Sequence, residues 1–475
     1  MESLTRRAAL AMLAGTAVGL LAACGTSQTG ATVGAASAAT TRAEASPAGT
    51  TMGTTAGQET TTTAAASTKP PTAAGQGGVT LQLFSFAKDR AAWLVSVAKL
   101  MSQEQGTPLT IDAQVVGTTA DVTNKVEAII AGGGTPPDLA EIEISQFPRW
   151  IKPGQAPPFT ALDEALQGHQ KDLFAPSAID PWSWLGKTYG LGNELNASLL
   201  STRTDLFKRA GLDPAKIGTW QDFLDVGQHI KTVAPSGMTY WGGGDFVFLS
   251  MQAGGGLFDQ NGKPILNAPA DLKALEFMQQ AIVKDKVAIV DPGTAPHNAL
   301  LVSGGVAALT GPAWKISGQV RQNAPQTAGN WHVQPLPAWG TTGAHASWSQ
   351  GGTGVTAPAT GKQIKAAVDF IIYAHTTTRA VLLDYEVRNT YPTWRPAYDS
   401  PELKQPDQFF AGQVVGPVIA QAAADMATFI TSPIYPDINS LAGKTATAVF
   451  KGTQQPADAL AAAQQQADGI AAALH

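Results

Sequence analysis

The chain has 475 residues, enough for two or three compact units. Its 31 Lys and Arg against 36 Asp and Glu give a net charge of -5, which excludes the basic stripe a nucleic-acid protein needs to neutralise phosphates. Charged residues make up only 14%, against about 25% in an average soluble domain, so neutral, polar partners are expected.

Cys24 is the one cysteine, so the body can hold no disulfide framework, thiolate zinc site or cysteine nucleophile. Arg6-Arg7, an apolar run from Ala8 to Ala23 and the small residues before Cys24 form the layout of a secretory signal peptide over 1-24. The run is short and rich in Gly and Ala for a membrane span. Leu21-Ala22-Ala23-Cys24-Gly25 resembles the bacterial lipobox, which implies lipidation of Cys24 and attachment to the membrane through that anchor. Thr5-Arg6-Arg7 resembles a twin-arginine signal, with Ala9 where that pattern has an aromatic residue, which leaves the export route open. An uncleaved anchor is the plainer alternative.

Residues 25-78 are Thr, Ala, Gly and Ser with almost no large apolar side chain, so this segment is expected to be a disordered tether. Square-root scaling gives it a reach of ~40 Å, enough to hold the body clear of a membrane.

From Val79 the pattern changes. Val79–Phe86 predicts a strand, Leu94, Val97, Ala98 and Met101 a helix, and Leu109–Val115 a second strand. Val122, Val126, Ile129 and Ile130 predict another helix, stopped by Gly132–Gly134 and Pro136-Pro137, before an extended Leu139–Ile144. Alternating strands and helices predict a parallel sheet covered by helices, with ligands outside the carboxyl ends of the strands. Further helices are predicted at Thr219–Val233, Pro269–Lys284, Lys362–Ala374 and Pro456–Ala473. The folded part therefore reads as a long α/β body, which normally divides into two lobes.

Catalytic signatures are absent or incomplete. Gly443-Lys444-Thr445 ends like a phosphate-binding loop, but Ile438 occupies the position of its first glycine. There is no Gly-x-Ser-x-Gly elbow, and the seven histidines show no metal-ligand spacing, so no metal and no cofactor are expected. Glu141 and Glu143 share one face of a strand, a pairing that could serve glycoside chemistry but more simply binds a ligand or faces solvent.

Several segments resemble, in order, the extracellular solute-binding proteins of sugar ABC transporters, the family that includes maltose-binding protein. They are Lys187-Thr-Tyr-Gly-Leu-Gly-Asn-Glu194, then Leu200–Phe207 and Gly218-Thr219-Trp220, then Ser303–Trp314 with its Gly-Pro-Ala-Trp end. Gly351-Gly352-Thr-Gly354-Val355 with Lys365–Phe370, Thr390-Tyr391-Pro392 and Pro456–Leu460 complete the series, which spans nearly all of 79–475. The resemblance implies a two-lobed, periplasmic-binding-protein-like α/β fold with a hinge between lobes. It places one lobe at 79-192 plus 350-394 and the other at 193-349 plus 395-475.

It further implies a monomer without catalysis that captures a small polar solute, most simply a carbohydrate, outside the cell membrane and delivers it to ABC permease subunits. Eleven tryptophans suit that reading, because aromatic faces cover the C–H surface of a sugar. Ligand contacts are expected from Phe84, Ser85 and Phe86 after the first strand, and from Glu141, Glu143 and Gln146 around the third. Glu194 falls at the first crossing between lobes. Trp241, Asp245, Trp314, Gly351 and Gly352 are expected to line the second lobe and its return, Tyr391, Trp394 and Arg395 the third crossing, and Tyr435 and Asp437 the last helical region. Trp220, at a helix start, is expected to pack in the core, and Arg395 has the alternative of pairing with Asp399. A surface-anchored carbohydrate-active enzyme and a sensory or adhesive protein on the same fold are the competing readings. A peptide, polyol, polyamine or phosphorylated solute also fits the family, the phosphorylated one least well because few basic residues are in view.

Overall fold

A computed structural model describes residues 78–340, 347–348 and 351–474. The signal segment, Cys24 and the tether lie outside the described residues, Gly78 excepted.

The chain opens with β1 (Val79–Ser85), α1 (Lys88–Gln105), β2 (Leu109–Val115), α2 (Thr119–Ala131) and β3 (Leu139–Glu143). β1 buries Leu81 and Leu83 and turns Gln82 between them outward, as period-two alternation requires. α1 buries Trp93, Leu94, Val97, Ala98 and Met101, the stripe predicted from spacing, and the same face carries Arg90. Gly106 ends it in the left-handed conformation, at φ 68°. α2 starts at a reciprocal cap in which the Thr118 hydroxyl accepts from the Asp121 backbone and the Asp121 carboxylate accepts from Thr118.

Beyond an irregular stretch, β4 (Gly190–Gly192) leads into β5 (Ser198–Arg203). The longer elements that follow are α3 (Trp220–Ile230), α4 (Asp245–Gln252) and α5 (Pro269–Gln279), the last running on through a wider turn to Lys284. Next come β6 (Ala308–Pro312), β7 (Trp331–Pro335), β8 (Thr353–Thr356), α6 (Ile364–Thr376) and α7 (Thr378–Arg388). α8 (Tyr435–Phe450) and α9 (Pro456–Ala472) close the chain.

The strands form two principal sheets. One has the order β2-β1-β3-β8-β4, in which β1 runs parallel to β2 and β3 while β8 runs antiparallel to β3 and β4. The other is antiparallel, in the order β6-β5-β7. α1, α6 and α7 pack together on the first sheet, whereas α4, α5, α8 and α9 pack with one another farther along the chain.

β4 and β8 are the strands by which the chain leaves the first sheet and returns to it, and their glycines have a steric cause. A Cβ on Gly354 would lie 2.4 Å from Cε2 of Trp182, and one on Gly192 would lie 2.6 Å from Cζ3 of the same ring. Trp182 is completely buried, and its indole N–H donates to the Ile142 carbonyl at 2.9 Å. The indole takes the space that two side chains would fill, which keeps β3, β8 and β4 in register beneath it.

Candidate functional site

A cavity of about 360 Å³ opens where the carboxyl ends of β1 and β3 meet the segment after β6. Phe86 reaches it from the end of β1, Glu143 from the end of β3, and Glu194 from the chain leaving β4. Trp314 enters two residues after β6, Gly351 and Gly352 lead into β8, and Arg388 ends α7. Gly351 and Gly352 have φ of 71° and 130°, conformations that favour glycine and leave backbone, not side chain, facing the cavity.

Behind this lining lies a network of buried charge. Arg90, 3% exposed, donates from Nε to Oε1 of Glu141 at 2.8 Å, from Nη1 to Oε1 of Glu194, and from Nη2 to the Asn193 side-chain oxygen at 3.0 Å. Arg388 donates from Nη1 to the same Glu194 oxygen at 3.0 Å and holds Asp384 bidentately at 2.6 and 2.7 Å. Burial alone pushes the Glu194 carboxyl up, but the two guanidiniums outweigh it and hold its pKa down to about 2. Burial also lowers the Arg90 pKa, and Glu141 and Glu194 more than reverse that.

Glu143 is in the opposite situation. Among the described residues it has no arginine partner, and only the backbone N–H and hydroxyl of Ser145 donate to it, both at Oε2. Burial therefore raises its pKa despite those bonds, with Glu194 adding to the rise. β3 thus puts two carboxylates on one face, the first locked in the interior and the second at the cavity.

Of the expected contacts, the cavity gathers Phe86, Glu143, Glu194, Trp314, Gly351 and Gly352. Ser85 and Glu141 are completely buried behind it, the Ser85 hydroxyl donating to Glu141. Phe84 faces the Lys125 ammonium at 4.4 Å, and Gln146 bonds Arg149 and Ser145. Trp241 is a correction: it is fully buried, stacks on Phe223 and donates to Thr310, so it fills core space and is not part of the cavity lining. Tyr391 and Trp394 are also buried, packed on Tyr385 and His169, while the neighbouring Thr390 lines the cavity. Arg395 lies over the Phe174 ring at 3.8 Å instead of pairing with Asp399, which bonds Lys404. Asp245 accepts from the Gly242 backbone, and Asp437 is exposed in the first turn of α8. Trp220 is core, 2% exposed.

Tyr435 lines a second cavity of about 420 Å³, together with Phe258, Trp348 and Phe429. Burial raises the pKa of its phenol, with the charge of Glu143 adding to the rise. Among the residues missed from sequence are Asp89, Arg90, Gln319, Gln322, Arg388 and Asn389. Arg90 carried a signal, because it stands four residues before Leu94 and seven before Val97, on the apolar face of α1.

Such a cavity has aromatic faces, carboxylate and amide oxygens and glycine backbone, which together suit a ligand rich in hydroxyl donors. No group of three or more metal-binding side chains occurs among the described residues.

Residues 85–377 match the family of bacterial extracellular solute-binding proteins. An arabinooligosaccharide-binding protein of Bacillus subtilis is 30% identical over 289 residues, covering 59% of this chain and 65% of that protein, a little under two thirds of its length. An arabinooligosaccharide-binding protein of Halalkalibacterium halodurans is 26% identical over 72% of this chain and 78% of its own. Among solved structures, the sugar-binding protein MalE of Xanthomonas citri superposes with a TM-score of 0.69 at 18% identity, covering 83% of this chain and 98% of that one. That likeness is one of fold, the two-lobed α/β arrangement of periplasmic binding proteins.

Proposed function

Because the chain belongs to the bacterial extracellular solute-binding proteins, we propose that it captures a carbohydrate in the cavity between its lobes and hands it, unaltered, to the permease subunits of an ABC importer. The observation that carries this reading is the convergence of Phe86, Glu143, Glu194, Trp314 and the Gly351-Gly352 backbone on one cavity from separate parts of the chain. The aromatic cavity beside Tyr435 adds surface for further sugar units, and an oligosaccharide fits the two together better than a monosaccharide. Two of the relatives are arabinooligosaccharide-binding proteins, which supports the same class.

In this proposal 79–192 with 350–394 form one lobe and 193–349 with 395–475 the other, moving as a monomer about the crossings at β4 and β8. Cys24 carries a lipid that holds the protein at the outer face of the membrane, and residues 25–78 are its tether. The protein has no catalytic role.

A thermal-shift screen of the full chain carrying Cys24→Ser, against mono- and oligosaccharides, polyols and peptides, tests the reading. A ligand at 100 times its dissociation constant adds about 2.7 kcal/mol, a shift of a few degrees. Chromatography of the mixture then decides the chemistry: sugar recovered intact supports capture, and shortened sugar replaces it with hydrolysis.

A further inference from the structure

Two arginines at the wall of a cavity ordinarily mark a site for an anion, because a guanidinium fork matches carboxylate or phosphate. Here the forks are already taken. Each of the three guanidinium nitrogens of Arg90 donates to Glu141, Glu194 or Asn193, and each of those of Arg388 to Asp384 or Glu194. Two positive charges thus meet three carboxylates, Glu141, Glu194 and Asp384, all of them buried. Glu143 and Asp89 at the cavity wall are further acidic groups with no arginine or lysine partner among the described residues.

The atoms left over have the same bias. Both bonds to Glu143 fall on Oε2 and both bonds to Glu194 on Oε1, so the second oxygen of each is an acceptor without a donor among the described residues. We infer that this cavity selects uncharged saccharides and rejects their uronic-acid, sulfated and phosphorylated counterparts, with Glu143 and Glu194 as the residues that enforce the choice. Hydroxyl groups supply the protons those two oxygens lack. An acidic substituent meets a net negative wall backed by buried carboxylates, and buried charges are screened least. The arginines set this selectivity by being occupied, since each is the positive partner of a carboxylate and not of the ligand.

The inference rests on the reading of the cavity as a saccharide site, and the experiment separates the two. Isothermal titration calorimetry of the full chain carrying Cys24→Ser would use matched pairs: arabinose-, galactose- and glucose-based disaccharides, and the same disaccharides with one unit oxidised to the uronic acid. The neutral member of a binding pair is expected to bind roughly 100-fold more tightly than the uronate. Glu143→Gln, which keeps the side-chain shape and lies outside the arginine network, is expected to shrink that ratio by about tenfold. Asp384→Asn, which removes one of the buried carboxylate charges, is expected to favour the uronate further. Equal affinities within a pair, or a tighter uronate, would overturn the charge selection and leave the saccharide site standing. A panel in which no member of any pair binds removes the saccharide reading itself.

Discussion

Two neighbouring regions at the crossing strands are both buried, yet they are built on opposite principles. Beneath Trp182 the chain gives up side chains altogether, and Gly192 and Gly354 present bare backbone to the indole. A few residues away, Glu194 and Arg90 bury full charges and satisfy them with one another. The first region is sensitive to added volume and indifferent to charge. The second cannot lose a partner, because an ion left alone in the interior keeps its desolvation cost and forfeits the attraction that offset it. A cavity that must hold polar groups at fixed positions is thus bordered by a wall that sets distances and a network that sets charge.

The sharpest way to break the comparison is Arg90→Met, which keeps most of the volume and removes the charge. It leaves Glu141, completely buried, without its ion-pair partner, and Glu194 with Arg388 alone. A loss of about 3–5 kcal/mol is expected from urea denaturation at neutral pH. A loss below about 1 kcal/mol would mean that the network contributes little and that packing governs both regions.

His375 extends the charged region to a group that stays neutral. It is fully buried, its Nδ1–H donates to the Ile371 carbonyl at 2.7 Å, and Nε2 has no partner among the described residues. Burial, aided by the charge of Arg90, brings its pKa down to about 4 against the opposing Ile371 bond. The unfolded chain therefore takes up the proton first. Stability is fully present above pH ~6.5, falls as the pH drops towards 4, and loses up to roughly 3 kcal/mol in that window. His375→Phe is expected to flatten that part of the curve of melting temperature against pH, and an unchanged slope would assign the acid sensitivity elsewhere.

Gly354→Ala tests the other region. A methyl group 2.4 Å from Cε2 of Trp182 must displace the ring or part the strands, for an expected cost of about 1–3 kcal/mol by thermal denaturation. Arg90→Met is expected to make stability fall less steeply with falling pH, because Arg90 holds both the Glu194 carboxyl and the His375 imidazole below their ordinary pKa values, and Gly354→Ala is expected to leave that slope unchanged.

The difference between the regions also explains what could be read from the sequence. β1, β2 and β3 were legible to within a residue or two because alternation and bounding Gly and Pro are local signals. The start of α5 at Pro269 and of α9 at Pro456 was legible for the same reason. Glu143 was marked locally by its spacing of two from Glu141 on a strand, whereas Glu194 and Trp314 came from the order of segments along the chain. Tryptophan was the weakest guide. Trp314 lines the cavity while Trp93, Trp182, Trp220, Trp241 and Trp331 are core, and residue type is the same in both places. Arg90 went unread because an apolar stripe is recognised by its apolar members, and a charge standing on it counts as a break. The Asp384 and Arg388 pair, four apart on α7, carried the spacing of a helical ion pair, but not the fact that α7 is packed against α1.

Gly469 supplies the smallest effect and completes the contrast. It lies in α9, is exposed, and a Cβ there would meet nothing within 4 Å. Its φ is not in the positive region that favours glycine, so alanine can adopt the backbone it already has. Gly469→Ala is therefore expected to stabilise by about 0.4–1 kcal/mol, through helix propensity and a less free unfolded chain. The substitution is chemically the same as at Gly354, and the sign reverses because one site is filled by an indole and the other by water. Paired melting curves of the two variants check this directly. If both lower the melting temperature, glycine would be needed in α9 for a reason other than space, and the steric account of Trp182 would lose its control.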